Sequence, residues 1–381
     1  MINSLSESIY RLSLLNAEQE RISYQSSTGK KIDNGSDDSL VFTKEIYIED
    51  KISVFDGIKK QIDITAAQNK SADSSLAEIK DIISSLKSEI IRALDDGIDP
   101  ESKKNIAINL EGMKKNLFLF SNEQSNGEYL FSGTEGTKPP FEQDPVTGDV
   151  TYVGNGYLKK VAVDEGSYRD RGVTGFDMMM NTNDTAYYGE KLTFTANERV
   201  VDNSGNEWVL DAGVPQLVKH TEIGASTETM PLTEILPATV PAKYETTNPI
   251  STPGQVLKSK ENIFDVIDNL VNALNQVDST GAPITEDQAK AQLKDGLGKV
   301  NQAFDSINAA HSALGVRNKI FEVSSEKVSA KITHFNILFR ETAGVDLGKV
   351  AMEAKALELT FTALYSTVNK MNQLSLVNYI N

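Results

Sequence analysis

The 381-residue chain has no cysteine, three histidines and one tryptophan. Without thiols there can be no disulfide, no cysteine nucleophile and no Cys-ligated zinc. His220, His311 and His334 are too few and too scattered for histidine-based catalysis or a His-rich metal centre. No run approaches the ~18 uninterrupted apolar residues of a membrane span. The N-terminus, MINSLSESIYRLSLLNAEQE, lacks the basic and apolar regions of a secretory signal. Basic residues are also scarce, 38 Lys and Arg against 54 Asp and Glu, for a formal net charge of −16. A phosphate backbone repels such a chain unless a basic patch offsets the charge, and none is present. The expectation is a soluble acidic protein with neither a nucleic-acid nor a membrane partner. If it works outside the cell, it leaves by a route that needs no cleaved signal.

Motifs of enzymes are missing as well. There is no His-Glu-x-x-His, no G-x-S-x-G, no G-x-x-x-x-G-K-[ST] and no G-x-G-x-x-G. Gly154-Asn-Gly156 reads as a turn pair. The acidic cluster Ser36-Asp37-Asp38 could hold a metal, but carboxylates at that place suit the start of a helix near Leu40 better. Asp33 to Asp38 does not have the spacing of a calcium loop. No catalytic, cofactor or metal site is expected.

What the chain does have is unevenly placed punctuation. Nine of its 11 prolines and 14 of its 25 glycines lie between Gly127 and Gly254. The stretches 1–126 and 255–381 read as long helices with few breakers. The fold class expected is mainly α with a β-rich insert. Both chain ends would form a long antiparallel bundle or coiled coil around a central β domain.

Heptad spacing supports this. From Leu293 to Phe339 a 4-3 seam has large apolar residues at 11 of its 14 positions, over 47 residues. At ~1.5 Å per residue that is a helix of roughly 70 Å. Val316, Ile320 and Val323 form a second stripe, which suits a bundle of three or more helices. Further seams run Leu76/Ile79/Ile83/Leu86/Ile90, Ile106/Leu110/Met113/Leu117/Phe120 and Ile263/Ile267/Leu270/Leu274/Val277. Asp95 to Gly97 with Pro100 separates the first two, and Gly281 with Pro283 ends the third. His311 falls on the long seam as a buried, hydrogen-bonded side chain.

The ends carry seams of their own. Leu5, Ile9, Leu12 and Ile22 mark an N-terminal helix, opened by a capping box at Ser4 and Glu7. Leu357, Phe361, Leu364, Val368 and Met371 keep the same rhythm near the C-terminus. Such seams suit either ordinary docked terminal helices or tails that fold only when subunits assemble. In the centre, 149–153, 158–163, 191–195 and 207–210 alternate as strands do, with a hairpin loop at Asn203 to Asn206. The proline-rich stretch 231–253 reads as a loosely structured return.

Several segments resemble the flagellin superfamily. Ser27-Thr-Gly-Lys-Lys-Ile32, with Gly29, followed by Ser36-Asp37-Asp38, is similar to its connector between the terminal helix and the first long helix. Asn126-Gly-Glu-Tyr-Leu-Phe-Ser-Gly-Thr134, Pro140-Phe141 and Val150-Thr-Tyr-Val-Gly-Asn155 resemble a block of its hook–filament junction family, hook-associated protein 3. The tail Leu374-Ser-Leu-Val-Asn-Tyr-Ile380 is similar too. The resemblance covers roughly 1–175 and 256–381; members commonly have prolines around Ser-Asp-Asp, where this chain has Gly35 and Ser39.

The resemblance implies a structural subunit of the bacterial flagellum, exported unfolded by the flagellar type III apparatus to an extracellular position. It implies a junction layer between the hook side and the filament, with bulk flagellin as the alternative. The implied partners are further copies of itself, flagellin, a hook-side hook-associated protein and a flagellar export chaperone. The expected division is 1–40 as an N-terminal tube helix paired with 345–381. Residues 41–140 and 256–344 would be the two halves of the bundle and 141–255 the outer β-rich domain. Assembly is assigned to the terminal seams, Leu5, Ile9, Leu12, Leu357, Phe361, Leu364, Val368 and Met371.

Overall fold

A computed structural model describes the backbone of residues 2–95, 97–211, 213–221, 224–236 and 241–380, with side chains omitted for 2–6, 8 and 371–380. In chain order the first elements are α1 (Ile2–Thr28), α2 (Ser39–Ala93) and α3 (Pro100–Ser121). Short strands follow: β1 (Gln124–Ser125), β2 (Glu128–Tyr129), β3 (Phe141–Gln143), β4 (Val150–Tyr152), β5 (Lys160–Asp164) and β6 (Ser167–Asp170). A short helix α4 (Gly175–Met179) leads into β7 (Met180–Ala186), β8 (Thr193–Thr195), β9 (Arg199–Asp202) and β10 (Glu207–Asp211). The central part closes with β11 (Gln216–Thr221), β12 (Gly224–Glu234), β13 (Lys243–Thr246) and β14 (Leu257–Asn262). Three helices end the chain, α5 (Ile263–Leu274), α6 (Glu286–Ala343) and α7 (Leu347–Ile380).

The chain divides into two compact units, one of residues 1–60 with 325–381 and one of residues 61–324. Helices α2 and α6 contribute residues to both.

In the second unit the seams become the core. Leu76, Ile79, Ile83, Leu86 and Ile90 of α2 are buried with Ile106, Leu110 and Leu117 of α3. Ile263, Ile267, Leu270 and Leu274 of α5 and Val300, Ile307 and Leu314 of α6 complete the same cluster. Local chemistry sets the helix starts. Pro100 occupies the first turn of α3, and Asp99 Oδ1 accepts from the backbone N–H groups of Glu101 and Ser102, both at 3.0 Å. Asn262 caps α5 in the same way, accepting from Phe264 N at 3.3 Å. Asn126 and Gly127, with φ of 54° and 78°, make the tight turn of the β1–β2 hairpin, as the Asn-Gly pair requires.

The β-rich part is an eight-stranded antiparallel sheet, ordered β7-β14-β9-β10-β11-β12-β13-β8, with β1–β2, β3–β4 and β5–β6 as separate two-stranded pairs. It has its own core, in which Leu192, Phe194, Val200, Trp208, Leu217, Ile250 and Leu257 are buried together. The strands expected near 150, 160, 193 and 207 are present, and Asn203 to Asn206 link β9 to β10. Two expectations are corrected. The stretch 231–253 is no loose return: its start completes β12, and β13 pairs Tyr244 with both Glu234 and Phe194. Likewise, residues 257–262 are not helical, because β14 lies between β7 and β9 and its backbone bonds both. Alternating polar side chains, Lys258, Lys260 and Glu261, hid that strand. The second stripe of α6, Val316, Ile320 and Val323, is exposed. His311 is half-buried rather than buried, with Nε2 2.9 Å from Asp73 Oδ1.

Candidate functional site

The first unit holds all the residues assigned to assembly. Helix α1 packs along α7, and their shared core is Ile22, Val350 and Leu357, with Leu15, Ala354 and Phe361 packed against it. The rings of Phe361 and Tyr365 stack at 6.3 Å. Leu12, Leu364 and Val368 are half-buried, whereas Ile9 is 61% exposed. Leu5 and Met371 lie outside the described side chains. Ser4, expected to cap α1, also lies outside them, and the helical backbone already begins at Ile2. A polar pair missed in the sequence ties the helices, Arg21 Nη2 standing 2.9 Å from Glu353 Oε2.

The pairing leaves much apolar surface uncovered within this unit. Tyr10, Leu14, Met352, Leu359 and Tyr365 are exposed alongside Ile9, with Leu359 at 63%. Hydrophobic side chains on the outer faces of both helices cannot be explained by the α1–α7 pair itself.

The connector 29–38 is a hydrogen-bonded clasp. Gly29, at φ 71°, ends α1, and its carbonyl accepts from Val345 N at 2.9 Å. Lys31 N donates to Ala343 O at 2.7 Å, and the Lys31 ammonium reaches the carbonyls of Glu341 and Thr342. A cation on the last carbonyls of α6 also complements the helix dipole. Lys30 Nζ bonds Glu45 at 2.6 Å and Glu49 at 3.0 Å, which holds the ammonium above its ordinary pKa. Asp38 Oδ1 accepts from Leu40 N and Val41 N and so caps α2, while Asp37 Oδ2 accepts from Asn34 N at 3.0 Å. Ser36 is exposed. These bonds use the polar cluster to fix two helix ends. Among the described residues no three His, Asp or Glu side chains could together hold a metal ion. No described helix is long and apolar enough to cross a membrane.

The block quoted between 126 and 155 closes on itself in the second unit. Asn155 Oδ1 accepts from Thr134 N and Tyr157 N, each at 3.1 Å, and its Nδ2 donates to Thr134 Oγ1 at 2.7 Å. The Tyr152 hydroxyl donates to Asn155 O at 2.8 Å. Gly133 has φ 73°, and a Cβ there would lie 2.3 Å from Asn155 Oδ1, so only glycine fits. The Tyr152 ring packs at 5.1 Å from Phe141, which meets Phe264 at 5.3 Å. The sequence signal is thus a folded knot whose residues depend on one another.

Residues 2–136 match the family model for the bacterial flagellin N-terminal helical region. The chain is 23% identical over 128 residues to flagellar hook-associated protein 3 of Salmonella typhimurium and 22% identical over 165 residues to that of Escherichia coli.

The N-terminal third of the chain is thus similar to the helical N-terminal region of bacterial flagellins.

The aligned parts span 33% and 42% of this chain, and 40% and 51% of those two relatives. In fold, the chain is similar to the crystal structure of Xanthomonas campestris FlgL. The TM-score is 0.52 at 16% identity, over 77% of this chain and 99% of that one. Long terminal helices and a central antiparallel β domain are what the two folds share.

Proposed function

We propose that the chain is a structural subunit of the bacterial flagellum, forming the junction layer that connects the hook side to the flagellin filament. The observation that carries the reading is the α1–α7 pair, whose outer faces expose Ile9, Tyr10, Leu14, Leu359 and Tyr365. The similarity to hook-associated protein 3 of two bacteria supports it.

The physical argument is one of symmetry. A self-complementary surface closes into a dimer, whereas a tube needs two different faces that meet head to tail. The exposed terminal residues and the separate Val316/Ile320/Val323 stripe supply distinct apolar faces on the two units. The tube would be built from the terminal seams, including Leu12, Leu364 and Val368, with Leu5 and Met371 extending them. The proposed neighbours are further copies, flagellin on one side and a hook-side hook-associated protein on the other. Before assembly, a chaperone groove could hold the amphipathic α7 as other grooves hold helices. Export through the flagellar type III apparatus would place the subunit outside the cell.

Bulk flagellin is the second reading, since it would share the terminal helices. The block at Leu130 to Gly133 and Tyr152 to Asn155, together with the relatives named hook-associated protein 3, favours the junction. Quantitative mass spectrometry of isolated flagella separates the two. A junction subunit is a trace component beside flagellin; a chain that dominates the preparation would be the filament protein.

A further inference from the structure

Within the second unit, one row of polar side chains is left unexplained by assembly. Asn181 of β7 stands opposite Glu261 of β14 in the sheet register. Glu198 directly precedes β9, whose pairing with β14 ends at Arg199 and Lys260, and its carboxylate is close enough to Glu261 for the two charges to repel. All three residues are buried, Asn181 at 1%, Glu198 at 8% and Glu261 at 9% exposure.

Their known partners account for part of each group. Asn181 Nδ2 donates to Lys299 O of α6 at 3.2 Å, which fixes the amide orientation and leaves Oδ1 without a partner. Glu198 Oε1 accepts from Asn183 Nδ2 at 2.8 Å and Thr195 Oγ1 at 3.2 Å, and the buried Ser259 hydroxyl also donates toward this carboxylate, yet Oε2 has no partner within hydrogen-bond distance. Glu261 Oε2 is ion-paired to Lys299 Nζ at 2.6 Å. Both orphaned atoms are therefore acceptors. Two buried carboxylates face one ammonium, so the row carries excess negative charge. Buried oxygens of this kind are costly unless something positive or protic meets them.

The ion-pair partner of Glu261 is partly exposed, the Lys299 side chain at 23%. Lys299 also lines a groove of about 490 Å³ between α5 and α6, whose other polar walls include Asp278, Asp295, Asn269 and Asn272. Every charged group there except Lys299 is acidic.

We propose that the Asn181–Glu198–Glu261 row is a cation site, taking a hard divalent ion such as calcium reached through the α5–α6 groove. Calcium accepts amide and carboxylate oxygens together and tolerates irregular geometry, with water filling its remaining positions. Asn181 Oδ1 and Glu198 Oε2 are the ligands, and Glu261 supplies the adjacent charge. The ion would tie three neighbouring strands of the sheet to one another. Its effect would be on the stability of the β-rich part, separate from the terminal helices.

The test is calorimetric titration of the chelator-treated full chain with calcium chloride, paired with thermal unfolding followed by Trp208 fluorescence. One calcium per chain is expected, with unfolding raised by about 3–8 °C at saturation. Glu198→Gln should fold, since its amide keeps an acceptor for Asn183 and gains a donor for the row; binding and the thermal shift should vanish. Glu322→Gln, an exposed change on α6, should keep both. No binding by the unaltered chain overturns the proposal, whatever the variant does. So does an equal response in Glu198→Gln, which would mean general charge screening. Calcium-independent stabilisation on lowering the pH, abolished by Glu198→Gln, would mean that a proton occupies the row instead, and would also overturn it.

Discussion

Replacing Asn155 by alanine removes three hydrogen bonds at once, two from the backbone N–H groups of Thr134 and Tyr157 and one to the Thr134 hydroxyl. Each neutral bond contributes about 1 kcal/mol net. Asn155 is half-buried, so water can reach part of what is lost, and the expected cost is about 2 kcal/mol rather than the full sum. For a unit of this size that is a fall in unfolding temperature of about 4–8 °C. Asn155→Asp is the informative companion. Its carboxylate still accepts from both backbone groups, and the Thr134 hydroxyl can rotate to donate, so the loss should stay below about 1 kcal/mol. The assay is urea unfolding read by Trp208 fluorescence and circular dichroism, with the slope checked for constancy. If Asn155→Ala loses no stability, or Asn155→Asp loses as much as alanine does, the block is not held together by this side chain. Its presence in the sequence would then need a different explanation.

Four further outcomes follow from the geometry. Leu359→Asp, on an exposed face, should leave the circular dichroism of the monomer unchanged and abolish incorporation into flagella; normal incorporation would remove α7's outer face from the interface. Leu357→Ala should instead cost about 2–4 kcal/mol in the first unit and expose α1 and α7 to limited proteolysis; an unchanged digestion pattern would show that the α1–α7 pair does not depend on Leu357. Burial raises the Glu128 pKa, but bonds from Lys159 and Arg171 outweigh it and hold the carboxylate down to about 2. The resulting stabilisation is complete above the ordinary carboxylate range near 4.5 and is lost as pH falls toward 2, so Glu128→Gln should flatten acid unfolding over that window. Finally, Ala186 pairs directly with Leu257, so an Asn-Gly turn can replace residues 187–256. The helical core around Leu76, Ile106, Ile267 and Val300 should survive that deletion; its unfolding would show that the sheet is part of the core.

The long seams were legible because burial on a helix repeats every three to four residues, and Leu76 to Ile90 could hardly read otherwise. The break before α3 at Pro100 and the hairpin loop at Asn203 to Asn206 were equally plain. Strand β14 escaped because Lys258, Lys260 and Glu261 gave no apolar alternation, and its place in the sheet comes from backbone pairing with β7 and β9. Strand β13 was obscured by Pro241 and Pro249, which lie outside it on either side. The clasp at Lys30, Lys31 and Gly344 joins residues more than 300 apart, and no local pattern announces such a bond. Ile9 shows the converse: its spacing matched a seam, yet the side chain faces outward. Periodicity identifies an apolar face but not what covers it.

The most direct test of the junction assignment is electron microscopy of cells lacking this chain, with the culture medium assayed for flagellin. The account predicts hooks without filaments and flagellin released unassembled into the medium, both reversed by the unaltered gene. Filaments of normal length attached to normal hooks in the deletion strain would contradict it.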